Sequence, residues 1–255
     1  MNNQCGIISH RGVCRLSPHS SRVGENTIEA FEEGVTKLER LGFPKSIEFD
    51  VRLTKDRVPV IIHDVTMNRT TSGRGKIEDI LFTDLQKLNA GYGRTVPSLS
   101  EVLEHFRDRD VSFHIELKED GLAEIVGREV LSKGLSDKAV LSAFDADDTG
   151  FGEDPQASSR WEDLYAIRGT LPFALLATAK KIAKMGVAEY IQAAKEAGGC
   201  AVHPDESAAN ETLVTAAHEA GLKVNVWTVN ERAVYETLSA RGVDAVFCDN
   251  PDFLA

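Results

Sequence analysis

The run Ile47-Glu48-Phe49-Asp50-Val51-Arg52-Leu53 alternates strictly, with Ile47, Phe49, Val51 and Leu53 on one face and Glu48, Asp50 and Arg52 on the other. Period-two alternation predicts a strand, not a helix. The turn Lys55-Asp56-Arg57 then lets Val58-Pro59-Val60-Ile61-Ile62-His63-Asp64 return antiparallel. With Thr54 facing Val58, counting along the ladder puts Asp50 opposite Ile62 and His63 beside it. Two carboxylates and an imidazole therefore converge in one hairpin. Taken alone, the pattern fits equally a half-solvated strand whose acids face water.

The remaining chain repeats one theme. Cys5–Ser9 is a short apolar run ending in His10-Arg11-Gly12, read as a strand with His10 at its carboxyl end. A polar loop leads to Asn26, which with Glu29 three residues on makes a capping-box pattern, and Ile28, Phe31, Val35 and Leu38 keep helical spacing to about Leu41. Residues 66–95 are polar, with a loop over 70–75 and a short helical piece around Phe82–Leu88. Ser98 and Glu101 cap the next helix. Val111–Lys118 alternates again, with His114, Glu116 and Lys118 on one face. Further strands are predicted at 139–144, 172–176, 200–203, 223–229 and 244–248, with helices at about 122–133, 161–167, 187–197, 210–220 and 231–241. Residues 145–160 read as a long surface loop. The run 58–63 is an arm on its neighbour, because a parallel partner needs a crossover of about a dozen residues. Eight β/α units in 255 residues predict an α/β fold, a single-domain (β/α)₈ TIM barrel with a β-hairpin arm and a small insertion after the second strand. An open doubly wound sheet is the alternative, but no G-x-G-x-x-G loop follows the first strand.

Composition narrows the function. Apolar residues make up 42% and charged residues 27%, enough for a sizeable core. No run approaches the ~20 apolar residues that span a bilayer, and Met1-Asn2-Asn3-Gln4-Cys5 lacks the basic start of a secretory signal. The formal charge of −11 argues against nucleic acid as a partner, and no basic run suits an anionic membrane. Cys5, Cys14, Cys200 and Cys248 form no C-x-x-C pair, which reads as reduced thiols in a cytoplasmic protein without a zinc site. Nothing specifies an oligomer.

In a barrel, chemistry sits at the carboxyl ends of the strands. His10, Glu48, Asp50, Glu116 and Lys118 come from three consecutive strands and share that end. Three carboxylates close together repel unless a cation lies among them, and oxygen-only ligands favour Mg²⁺ or Ca²⁺. The alternative is a carboxylate network neutralised by Arg52 and Lys118. His10 and His63 would flank the ion, one taking a proton while the other gives one. Arg11 and Lys118 suit a phosphate. His114 lies a layer deeper and is read as core; Cys14, His19 and His203 receive no role.

These motifs, in this order, resemble the glycerophosphodiester phosphodiesterases, within the barrel phosphodiesterases that include phosphatidylinositol-specific phospholipase C. The matching pieces are Ser9-His10-Arg11-Gly12, Glu25-Asn26-Thr27, Ile47–Val51, Leu53-Thr54-Lys55-Asp56, Val60–Asp64, Arg69-Thr70-Thr71, His114–Lys118, Trp227-Thr228-Val229-Asn230 and Asp249-Asn250-Pro251. The resemblance is strong over 6–118 and 223–251 and weak over about 145–200. It implies metal-dependent hydrolysis of small glycerophosphodiesters to sn-glycerol 3-phosphate and an alcohol, a role in lipid and glycerol metabolism. It implies His10 and His63 as the acid–base pair, Glu48, Asp50 and Glu116 as ligands of Mg²⁺ or Ca²⁺, Arg11 and Lys118 on the phosphate, and Glu25 in the site. Trp227 lines the cleft or packs as a core aromatic. Attack by the glycerol 2-hydroxyl on phosphorus, followed by hydrolysis of the cyclic phosphate, is the path these roles suggest. The sequence departs from the family in a longer loop between His10 and Glu25, in Gly24 where proline is usual, and in Cys248 where threonine is frequent. Competing readings are a phospholipase-D-like or C-like enzyme on lysolipids, a diesterase for a specialised sugar-phosphate, and a non-enzymatic binding barrel.

Overall fold

The alternating runs close into one sheet. The computed structural model describes residues 4–13, 24–145, 148 and 160–255. Its strands are β1 (Gly6–His10), β2 (Ser46–Leu53), β3 (Pro59–Ile61), β4 (Ser112–Leu117), β5 (Ala139–Phe144), β6 (Phe173–Ala177), β7 (Ala201–Pro204), β8 (Lys223–Val226) and β9 (Ala245–Cys248). All but β3 are parallel, in the order β1-β2-β4-β5-β6-β7-β8-β9, and β9 pairs back onto β1. The sheet is therefore a closed barrel, which removes the open doubly wound alternative.

The hairpin register is the one counted from the sequence. β3 pairs antiparallel with β2, Val51 facing Ile61 and Leu53 facing Pro59. The Thr54 N–H donates to Val58 O at 3.1 Å and the Ile62 N–H to Asp50 O at 3.0 Å. β2 is not half-solvated: every residue from Ser46 to Leu53 is buried. Its apolar face packs on the helical layer, where Phe49 lies between Phe31 and Phe113 at centroid distances of 5.6 and 6.3 Å. Its polar face looks into the barrel, so those acids are not solvated by default.

Helices α1 (Ile28–Arg40), α2 (Phe82–Leu85), α3 (Leu99–Phe106), α4 (Leu122–Ser132), α5 (Arg160–Tyr165), α6 (Ala179–Met185), α7 (Val187–Ala197), α8 (Glu211–Glu219) and α9 (Arg232–Ala240) surround the barrel. Ser98 and Glu101 form the expected capping box on α3. On α1 the cap differs from expectation: Thr27, not Asn26, is the N-cap, its Oγ1 accepting from the Ala30 N–H at 3.3 Å. Asn26 is drawn instead into the left-handed region at φ 57°, with its side chain on Asp50. The predicted strand over 223–229 stops at Val226. Helix α6 has no counterpart in the sequence reading, because only Ile182 of its seven residues is buried. The insertion after β3 has its own small core of Ile62, Met67, Ile77 and Leu85. It packs so closely on the segment before α1 that a Cβ on Gly24 would meet Ala90 O at 2.2 Å. Cys5, Cys200 and Cys248 are free thiols. Cys14, His19 and most of the 145–160 loop lie outside the described residues. Among the described residues, no helix is long and apolar enough to cross a membrane.

The lower barrel is filled by an aromatic cluster. The His114 ring lies 5.9 Å from His203 and 5.5 Å from Phe247, and the Asn225 amide is 3.1 Å from His203 Nε2. Burial, helped by the charge of Lys223, lowers the His114 imidazole from 6.5 to about 4. Burial and His114 together hold His203 well below its ordinary value. Both rings are therefore neutral in the native state, whereas an unfolded chain protonates them near pH 6.5. Stability is full above that pH and is lost as pH falls towards 4. His114→Asn is expected to remove about 1–2 kcal/mol of the loss between pH 7 and 5, read from denaturant midpoints at each pH. Identical pH slopes for the two proteins would contradict this.

Candidate active site

Register sets the site. Across the β1–β2 ladder His10 pairs with Glu48, and across β2–β4 Asp50 pairs with Glu116. Neighbouring strands thus present these side chains at the carboxyl end of the barrel. Carboxylate oxygens of Glu48, Asp50 and Glu116 all lie within 4.8 Å of one another, with the residues only 4%, 0% and 7% exposed.

The turn after β1 is built around this cluster. Arg11 adopts the left-handed conformation at φ 54°, costly for a side chain other than glycine, and its N–H donates to Glu48 Oε2 at 3.0 Å. Gly12 follows at φ 75°, where a Cβ would lie 2.4 Å from the Ala30 carbonyl carbon. Only glycine fits there, and the turn can then hold the Arg11 guanidinium over the acids. Arg11 Nε is 3.3 Å from Asp50 Oδ2 and its Nη1 donates to Glu25 Oε1 at 3.2 Å. Asn26 Nδ2 donates to Asp50 Oδ2 at 2.8 Å. Lys118 Nζ lies 3.2 Å from Asp50 Oδ1 and also pairs with Glu116.

Arg52 takes no part in neutralising the acids, contrary to the network alternative. Its Nε donates to His63 O at 2.8 Å and its Nη1 to Glu119 at 3.2 Å, so it braces the hairpin.

These charges push the acids apart in proton affinity. Burial and the neighbouring Asp50 carboxylate raise Glu48 from 4.5 to about 8. Burial opposes ionisation of Asp50 as well, but Lys118, Arg11 and His63 overcome it and hold Asp50 well below its ordinary value. Asn26 Oδ1 is buried and accepts no hydrogen bond, and Asp50 Oδ1 meets the Lys118 ammonium at 3.2 Å without an aligned hydrogen bond. Buried carboxylate oxygens that converge from three residues have the character of hard-cation ligands. The all-oxygen donor set fits a divalent ion.

Each imidazole is anchored by its own carboxylate. His10 Nδ1 donates to Asp249 Oδ1 at 2.7 Å, while its Nε2 lies 3.9 Å from Glu48 Oε2. Asn230 clamps Asp249, its Nδ2 donating to Oδ2 at 2.6 Å and its Oδ1 accepting from the Asp249 N–H at 2.9 Å. His63 Nδ1 donates to Asp64 Oδ1 at 2.8 Å. In both cases the carboxylate contact is made through Nδ1, with Nε2 on the other side of the ring. Burial and Arg11 disfavour the His10 cation, but Glu48 and Asp249 outweigh them and raise the imidazole above its ordinary 6.5.

Trp227 is half-buried: its Nε1 donates to His203 O at 2.8 Å and its ring meets Phe144 edge-on at 5.3 Å. Phe144 lies under Lys118, with Nζ 5.8 Å from the ring centroid. The structure therefore brings His10, Arg11, Glu25, Glu48, Asp50, Glu116 and Lys118 into one connected cluster. It adds Asp249, Asn230 and Asp64, to which sequence reasoning gave no role, and Asn26, which it read only as a helix cap. The available signal was an Asp directly after a motif histidine in His63-Asp64, and the acid of Asp249-Asn250-Pro251.

Fold and site define a class: a (β/α)₈ barrel with two carboxylate-anchored imidazoles and a cation-type acid cluster at its carboxyl mouth. The model of the glycerophosphoryl diester phosphodiesterase family matches residues 10–253; the chain belongs to that family and is a phosphoric diester hydrolase. The YhdW protein of Bacillus subtilis (strain 168) is 30% identical, covering 97% of this chain and 96% of its own. The glycerophosphodiester phosphodiesterase of Caldanaerobacter subterraneus subsp. tengcongensis is 28% identical over 97% of this chain and 95% of its own. The crystal structure of a glycerophosphodiester phosphodiesterase from Agrobacterium tumefaciens superposes with a TM-score of 0.74, at 27% identity and 98% coverage of both chains.

Because burial and Asp50 raise the proton affinity of Glu48, a cation entering the cluster would displace protons from it. Calorimetric titration with Mg²⁺ or Ca²⁺ at pH 7, in buffers of different ionisation enthalpy, is expected to show release of about one proton per ion. Glu48→Gln should abolish the release; a buffer-independent heat in the native protein would contradict it.

Proposed function

We propose that this protein hydrolyses glycerophosphodiesters to sn-glycerol 3-phosphate and an alcohol. The observation that carries the reading is the convergence of Glu48, Asp50 and Glu116 within 4.8 Å beside His10, whose Nδ1 is tied down by Asp249 at 2.7 Å. The names of the relatives point the same way. Glu48, Asp50 and Glu116 would hold Mg²⁺ or Ca²⁺. Such an ion would supply positive charge that offsets charge on the phosphoryl oxygens and favours loss of a proton from the attacking hydroxyl.

The chain's own residues supply the rest. Arg11 and Lys118 bring two cations to a phosphate beside the cluster, Arg as a planar fork and Lys as a point charge. Glu25 holds the Arg11 guanidinium. Trp227 and Phe144 wall the mouth beside Lys118, where the leaving alcohol would lie. One imidazole takes the proton of the glycerol 2-hydroxyl as its oxygen attacks phosphorus. The other gives a proton to the departing alcohol oxygen as the P–O bond breaks. In the second half water attacks the cyclic phosphate and gives its proton to the imidazole that served as acid, while the other imidazole returns its proton to the glycerol 2-oxygen as the P–O2 bond breaks; both protonation states are restored.

Two outcomes test this. Release of glycerol 3-phosphate from glycerophosphocholine should need Mg²⁺ or Ca²⁺, stop with a chelator, and fall ~10²–10⁴-fold in His10→Ala and in His63→Ala. No release with either metal would reject the substrate. An analogue lacking the 2-hydroxyl should not turn over; unimpaired turnover would rule out the cyclic path and leave direct attack by water.

A further inference from the structure

The motif Arg69-Thr70-Thr71 stands in the insertion after β3, outside the barrel, and the chemistry above gives it no task. Its geometry is specific. Arg69 Nε donates to Asp64 Oδ2 at 2.7 Å and Nη2 to Asp64 Oδ1 at 2.8 Å. On its other edge Nη1 donates to Glu25 Oε2 at 2.8 Å and Nη2 to Glu25 Oε1 at 2.7 Å. One guanidinium thus spends four of its five N–H donors on two carboxylates. Asp64 Oδ1 also receives His63 Nδ1 at 2.8 Å, and Glu25 Oε1 also receives Arg11 Nη1 at 3.2 Å. The chain His63–Asp64–Arg69–Glu25–Arg11 is continuous.

The loop is shaped to present Arg69. The Met67 N–H donates to Gly75 O at 2.9 Å, and Thr71 Oγ1 donates to Met67 O at 2.8 Å while accepting from the Gly73 N–H at 3.0 Å. Asp249, behind His10, is clamped twice by Asn230. Asp64, behind His63, is 25% exposed at its side chain and adjoins the end of a short arm. Without a second anchor it would be free to swing, and the ring with it. Only a planar fork can grip both acids at once; a lysine offers a single point of charge.

We propose that Arg69 is a positioning residue that reaches from the insertion to lock His63 through Asp64, with Glu25 as its fixed anchor. It holds the imidazole as the Nδ1–H tautomer with Nε2 free for proton transfer. The insertion is then part of the catalytic apparatus, although none of its side chains needs to touch the substrate. The kinetic part of the test rests on the proposed activity; the spectroscopic part does not.

The experiment uses ¹⁵N-histidine-labelled full-length protein, with long-range ¹H–¹⁵N spectra of His63 and steady-state kinetics on glycerophosphocholine. In the native protein His63 should be the Nδ1–H tautomer. Arg69→Gln should mix the tautomers and lower kcat ~10–100-fold, the range for a residue supporting a working ligand or base. Asp64→Asn should lose the Nδ1–H form, and the double variant should be no slower than Asp64→Asn alone. Arg69→Lys keeps the charge and the fold and should still lose kcat. Methylguanidinium added to Arg69→Ala should restore part of it, which a merely structural loss would not allow. A native tautomer in Arg69→Gln, or losses in kcat that multiply in the double variant, would overturn the proposal. If glycerophosphocholine proves not to be a substrate, the tautomer measurement decides alone.

Discussion

Three carboxylates held out of water against one another are the constraint on which this molecule depends. Glu48, Asp50 and Glu116 are forced together by the parallel register of β1, β2 and β4, and desolvation makes their repulsion severe. Much of the surrounding structure answers it. Arg11 accepts a left-handed backbone to aim an N–H at Glu48 and its guanidinium at Asp50. Asn26 gives up the N-cap of α1 to donate to Asp50. Lys118 divides itself between Asp50 and Glu116. The residual imbalance appears as opposite displacements of Asp50 and Glu48, the pattern of a site that separates its acids into distinct roles.

Around this centre the two imidazoles are held alike but backed differently. His10 leans on Asp249, which Asn230 fixes from the β8–α9 segment at the closing side of the barrel. His63 leans on Asp64, whose support comes from Arg69 in an insertion with its own small core. The barrel supports one imidazole and the hairpin with its insertion supports the other. That division explains why β3, too short to matter for the barrel itself, is registered so firmly on β2.

Much of this was legible in the sequence because it follows from periodicity. Alternation in 47–53 and 111–118 gives both strands and the face of each acid, and counting from Thr54 and Val58 gives the hairpin register that the ladder adopts. Strand ends were less legible, since hydrophobic pattern continues past the last ladder bond, as at Val226. Asn26 shows why local rules failed where they did: its capping pattern was genuine in spacing, but its side chain turns to donate an N–H to a buried carboxylate 24 residues away, and Thr27 caps the helix instead. Asp249, Asp64 and Arg69 lay inside recognisable motifs, yet their tasks are contacts between segments far apart in sequence, which no periodicity encodes. Arg52 misled for the same reason: it shares a face with Glu48 and Asp50 but is long enough to reach His63 O and Glu119 instead.

We infer that the buried acids converge in order to share one cation. The most direct test is electron paramagnetic resonance of Mn²⁺, a stand-in for a hard divalent ion, titrated into the native protein and into Asp50→Asn and Glu116→Gln. One ion should bind per native chain, displaced by Mg²⁺ or Ca²⁺, and neither variant should hold it at the same concentrations. Unchanged binding in both variants, or no binding in the native protein, would contradict the account and return the cluster to a network balanced by Arg11 and Lys118 alone.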